Sequence, residues 1–191
     1  MMKKKLILLT FILGLAGSAW AQEFRGLDKS PLDNAYLPDN YAHDRKFAPD
    51  RKLGESAVAK ITYSRPQKKG RQVFGNLVKY NEVWRLGANE NTEIEVYQDL
   101  KFGGKTLKKG RYSMFAIPSE KEWTFIFNSD FDRWGHYSYD EGHDVLRVKA
   151  AVKQNDNVVE AFSIQFEDLE PGKAILRFAW DTTVAELPVS Y

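Results

Sequence analysis

Phe162-Ser163-Ile164-Gln165-Phe166 and, beyond Pro171-Gly172, Ala174-Ile175-Leu176-Arg177-Phe178-Ala179-Trp180 decide the fold of this chain. Phe162, Ile164 and Phe166 alternate with Ser163 and Gln165, and Ala174, Leu176, Phe178 and Trp180 share one parity with Arg177 on the other. Successive side chains of a strand point to opposite faces, so this period of two marks strands with one buried face. Pro-Gly is turn chemistry, and two such runs joined by a short turn read as an antiparallel hairpin.

The same period extends outward from this hairpin. Ala57, Ala59, Ile61 and Tyr63 oppose Lys60, Thr62 and Ser64; Ile94 and Val96 oppose Glu93 and Glu95. Trp123, Phe125 and Phe127 form one heavily apolar face, and Leu146, Val148 and Ala150 alternate with Arg147 and Lys149. Turns are expected at Gly103-Gly104, Lys109-Gly110, Asn155-Asp156-Asn157 and Pro171-Gly172. Short strands joined by short turns mean an antiparallel sandwich or a closed barrel, and the expected fold is all-β, a two-sheet antiparallel β-sandwich of roughly eight to ten strands. Pro188 is expected to place the last run on a sheet edge, because proline cannot donate to a ladder.

Three segments follow from composition. Lys3, Lys4 and Lys5, an apolar run from Leu6 to Gly17, and Ala19-Trp20-Ala21 have the parts of a secretory signal peptide, residues 1–21, with cleavage expected after Ala21. The mature chain is then expected to be periplasmic or secreted, with no further membrane span. Residues 22–54, with Pro31, Pro38 and Pro49 and no sustained period, read as an extended arm or linker that Tyr36, Tyr41 and Phe47 could pin to the domain. Residues 55–191 form the β domain.

Without the leader, Lys plus Arg falls from 28 to 25 against 26 Asp plus Glu, a net charge of −1. A near-neutral domain with no basic stripe is a poor fit to nucleic acid, where phosphate neutralisation dominates affinity. Cysteine is absent, so disulfides take no part in stability even in an oxidising compartment. No P-loop, dinucleotide-binding glycine pattern or His-Glu-x-x-His stands in the chain, so no cofactor is expected.

One block concentrates constrained residues. It runs through Tyr63-Ser64-Arg65-Pro66, Lys69-Gly70-Arg71, Phe74-Gly75-Asn76-Leu77-Val78 and Val83-Trp84-Arg85-Leu86-Gly87-Ala88-Asn89-Glu90. Further pieces are Gly110 to Pro118, Trp123-Thr124, Trp134-Gly135, Tyr139-Asp140 and Asp144 to Arg147. Together they resemble the domain of unknown function 2911, a family of exported bacterial proteins with no established activity. Lys79-Tyr80-Asn81 and Asn91 depart from the family's usual residues at those positions. The resemblance implies no catalytic residue.

The candidate ligand-binding set is Arg65, Arg71, Trp84, Arg85, Asn89 and Glu90, with Trp134 and Tyr139 brought in from a later loop. Guanidinium forks suit carboxylate or phosphate, and tryptophan offers an apolar or sugar-stacking face. The expected ligand is a glycan, a peptide or another anionic envelope molecule. The structural alternative is an internal Arg–Glu pair, with asparagines tying the loop after Gly87 to the sheet. A carboxylate hydrolase is the second functional class, using Glu90 or the pair Glu93 and Glu95, about 7 Å apart on one strand face. No metal site is expected: His136 and His143 have no fixed ligand spacing, and Asn128 to Asp132 resembles a calcium loop but puts Arg133 where the loop needs glycine.

Overall fold

The computed structural model describes residues 24–191; the expected signal peptide, residues 1–21, and its expected cleavage site lie outside them. The strands are β1 (Leu32–Leu37), β2 (Ala59–Ser64), β3 (Thr92–Val96), β4 (Leu100–Phe102), β5 (Lys105–Leu107), β6 (Gly110–Pro118), β7 (Glu122–Asn128), β8 (Asp144–Glu170) and β9 (Lys173–Ser190). All pair antiparallel in one sheet ordered β1-β2-β3-β6-β7-β8-β9-β4-β5. The expected all-β fold is present, with its two layers cut from one continuous sheet rather than built from two.

The two longest strands make the fold-over. β8 pairs with β7 as far as Ala151 opposite Glu122, then pairs with β9 from Val152 opposite Ala185. Phe102 on β4 and Phe127 on β7 are three strands apart in the sheet order. A flat sheet would hold them about 14 Å apart, yet their ring centroids are 4.8 Å apart. The sheet has curled until its apolar face meets itself. Phe125 against Phe178 at 4.4 Å and Tyr63 edge-on to Phe162 at 5.9 Å complete the seam. The chain after β2 adds a tie at one side: Gln67 bridges Ala161, Phe162 N–H donates to the Pro66 carbonyl, and Lys68 N–H donates to Glu160.

Three local expectations meet a different outcome. Within the stretch read as an arm, Leu32–Leu37 pairs with β2 along its length, and a short helix α1 (Tyr41–Phe47) follows. Only Ala35 and Leu37 of that strand are buried, too few positions for the period to show. Asn155-Asp156-Asn157 does not reverse the chain. It sits in a bulge, where pairing jumps from Gln154–Thr183 to Val159–Asp181 and the Asn155 side chain donates to the Asn157 carbonyl. Turn-forming side chains satisfy themselves inside the bulge, so β8 continues. Pro188 is not on an edge strand. β9 lies between β8 and β4, and Pro188 falls between the last β8 pair at Ala185 and the first β4 pair at Val189, where no ladder bond needs its missing N–H.

Candidate functional site

The loop from Val73 to Val83 and the loop from Arg85 to Asn91 flank Trp84, whose backbone pairs with Ala116 of β6. Trp84 stacks on Trp180 of β9, with centroids 6.0 Å apart and planes 17° from parallel, and meets Trp123, Phe74 and Phe162 with its edges or faces. Its Nε1–H donates to the Gly87 carbonyl at 3.3 Å. This aromatic cluster closes one end of the core and forms the floor of an open cleft of about 440 Å³. Its volume falls within the range of small-molecule sites.

The wall of the cleft is apolar at Pro66, Leu77, Val78 and Val83, and its rim carries Arg71, Lys79, Arg85, Glu82 and His136. Arg85 is set by three neighbours. Its Nη1 donates to the Asn89 carbonyl at 2.9 Å, its guanidinium carbon lies 5.5 Å from the Tyr137 ring centroid, and Gly135 leaves room for it where a Cβ would not. Arg71 donates to the carbonyls of Lys68 and Gln67. Burial and the neighbouring Arg85 push the His136 pKa down, with Glu82 pulling the other way.

Gly87 explains how the loop fits. A Cβ there would stand 2.9 Å from the Ser64 carbonyl oxygen, so the backbone approaches the end of β2 more closely than any side chain allows. Thr92 then anchors the far end, its N–H donating to the Arg85 carbonyl and its hydroxyl to the Leu86 carbonyl.

Of the residues singled out from sequence, Arg71, Trp84, Arg85 and Asn89 line the cleft. Arg65 is a cross-link instead. It donates to the Phe162 carbonyl, Asp33 and Ser163, fastening β1 and β8 to the end of β2. Glu90 is exposed and pairs with no cation among the described residues, so the internal Arg–Glu pair is not formed. Trp134 is exposed and off the cleft. Tyr139 belongs to another network: its hydroxyl donates to Asp144, accepts from Arg147, and has its pKa pushed up to about 12 by burial and then by Asp144. The later loop still reaches the site, through Asn91 N–H to the Arg133 carbonyl and Arg133 N–H to the Asn91 side chain. It delivers His136 and Tyr137 rather than Trp134 and Tyr139.

Sequence reasoning missed Leu77, Val78, Lys79, Glu82 and Trp180 as cleft residues. Lys79 and Glu82 follow the Phe74–Val78 turn and carry no local mark of a site; Trp180 reads only as the end of a strand. Glu93 and Glu95 line a second, smaller recess of about 290 Å³ with Lys60, Thr62 and Arg111. Glu93 accepts from Arg111 and from the Asp132 N–H, and Glu95 accepts from the Tyr97 hydroxyl. Among the described residues no cluster of three His, Asp or Glu side chains could hold a metal ion. No helix among them is long and apolar enough to cross a membrane.

No curated protein and no solved structure matches the chain. A family model does match, across residues 49–189, which takes in the cleft apart from Ser30, its aromatic floor, strands β2 to β8 and β9 as far as Val189. The chain therefore belongs to the family described as protein of unknown function (DUF2911).

Proposed function

We propose that this protein is an exported, non-enzymatic binding module that holds a glycan, peptide or other anionic ligand of the cell envelope in the cleft above Trp84 and Trp180. One observation carries the reading. Arg71, Lys79 and Arg85 line the cleft without a carboxylate partner among the described residues; Arg51, Arg65, Arg111, Arg133, Arg147 and Arg177 each have one, and the other unpaired arginines, Arg25 and Arg45, lie on the N-terminal segment away from the cleft. Cations whose charge the fold leaves uncompensated, set at the rim of an apolar recess, suit an incoming anion.

The state of the carboxylates supports binding over hydrolysis. Glu90 stands exposed outside the cleft, and both oxygens of Glu93 already accept from Arg111 or the Asp132 amide. Neither is placed as a free acid or base facing a substrate recess. Export rests on the signal-like leader read from sequence.

The test is thermal unfolding against glycans, short peptides, lipids and divalent metals, with and without EDTA. A ligand at 100 times its dissociation constant adds about 2.7 kcal/mol of stability. A shift that vanishes in a folded Arg85→Ala variant places the ligand in this cleft. Shifts that survive the substitution would remove the reading.

A further inference from the structure

We infer that the cleft recognises an oxyanion, carboxylate or phosphate, carried on an apolar body, an inference that rests on the binding-module reading above. The loop Leu86–Glu90 supplies the first argument. Three of its five carbonyls are engaged by the protein: Leu86 accepts from the Thr92 hydroxyl, Gly87 from the Trp84 indole and Asn89 from Arg85. Its N–H groups, from Leu86 through Glu90, have no acceptor among the described residues. Leu86 and Asn89 hold left-handed φ values of 54° and 57°. A loop with most of its carbonyls engaged and its amides free, bent through left-handed residues, has the polarity of an anion-binding nest. Gly87, Ala88 and Asn89 of this loop line the cleft.

The charge of the rim gives the second argument. Arg71, Lys79 and Arg85 face one carboxylate, Glu82, among the lining residues. The loop edge already holds one carboxylate of the chain itself, since the Asn89 side chain donates to Asp28 at 2.9 Å. The apolar wall is the third argument: Leu77 and Val83 are open to the cleft, over Val78 and two indoles that are already nearly buried. An ion with no apolar part would leave that surface wet, and a neutral molecule would leave the amides and cations unpaired.

The experiment uses the purified protein at constant ionic strength with four probes: phenyl phosphate, phenylacetate, inorganic phosphate and benzyl alcohol. Melting temperature and calorimetric titration are read for each. One or both phenyl anions should bind at least about tenfold tighter than inorganic phosphate and than benzyl alcohol. Arg71→Gln and Lys79→Gln, both at exposed positions, should each weaken that binding about tenfold. Lys79→Gln should leave the melting temperature of the free protein unchanged, while Arg71→Gln also gives up the bonds to the Lys68 and Gln67 carbonyls and should lower it slightly. Phenyl phosphate binding alone assigns the head group as phosphate, phenylacetate alone as carboxylate. Benzyl alcohol binding as tightly as the anions, or inorganic phosphate matching phenyl phosphate, overturns the inference. If neutral glycans or peptides bind in an Arg85-dependent way while all the anions stay silent, this inference falls and the binding module stands. Silence from every probe and from the wider panel removes both.

Discussion

The guanidinium of Arg85 packs directly on the α-carbon of Gly135: a Cβ built there would stand 2.8 Å from Nη1 and 2.9 Å from Cζ. Gly135 also holds φ +66°, a conformation side chains rarely adopt. One glycine thus joins the loop after β7 to the rim of the cleft. Gly135→Ala should cost about 1–2 kcal/mol in denaturant unfolding. It should also displace Arg85 from the Asn89 carbonyl and weaken phenyl-anion binding. A variant with the stability and affinity of the parent would show that Arg85 is positioned by something else.

Trp84 tests the link between the core and the cleft. It packs against all four of Phe74, Trp123, Phe162 and Trp180. Trp84→Ala should cost about 3–5 kcal/mol, the usual range for emptying a buried aromatic site. Trp84→Phe keeps most of the packing but leaves the Gly87 carbonyl without its indole donor, for about 1–2 kcal/mol. Urea unfolding of the two variants separates these contributions. Equal costs would mean that the hydrogen bond, not the packing, sets the stability of this end of the core.

The strands were legible because burial has a period that sequence carries directly. Phe125 and Phe127, or Phe166 and Phe178, had to face a core, and they do. What sequence could not show was curvature. Nothing local says that β8 changes partners at Val152, because that switch depends on two strands far longer than usual and on the pairing of Gln67 with Ala161. The site was half legible for the same reason. Trp84, Arg85 and Asn89 lie close in the chain and share one loop, whereas Trp180 comes to the floor only through the fold-over, and Arg65 turned to β8 once that strand was beside it. Arginine type alone does not separate a cross-link from a ligand-binding group; the nature of the acceptor does.

Arg65 makes that distinction measurable. Its fork reaches the Phe162 carbonyl at 3.2 Å, Asp33 at 2.9 Å and the Ser163 hydroxyl at 2.9 Å, spanning β1 and β8. A lysine cannot meet three acceptors in that geometry. Arg65→Lys should cost about 1–2 kcal/mol of folding stability while leaving affinity for any cleft ligand unchanged. Lost affinity at undiminished stability would return Arg65 to the binding set.

His136 gives the protein a pH dependence of known sign. Folding stability rises with pH wherever the unfolded chain binds more protons than the folded one. In the folded protein, burial first and Arg85 second hold the His136 pKa below its ordinary value of about 6.5, although Glu82 opposes them. Between the lowered value and about 6.5, the unfolded chain therefore carries a proton that folded His136 resists. Stability is full above that window and declines as pH falls through it. The carboxylates whose pKa the fold lowers, Asp44 through His43 and Arg51, Asp99 through Lys108, Asp130 through Arg133, and Glu186 through Lys153, give up their contribution only at more acidic pH. The interval from pH 7 to pH 5 is thus clear of them. Urea midpoints across it should fall more steeply for the parent than for His136→Gln, which has no proton to refuse. Parallel slopes would mean that the imidazole is free to charge where it stands, and that the rim of the cleft is more open to water than its contacts with Arg85 imply.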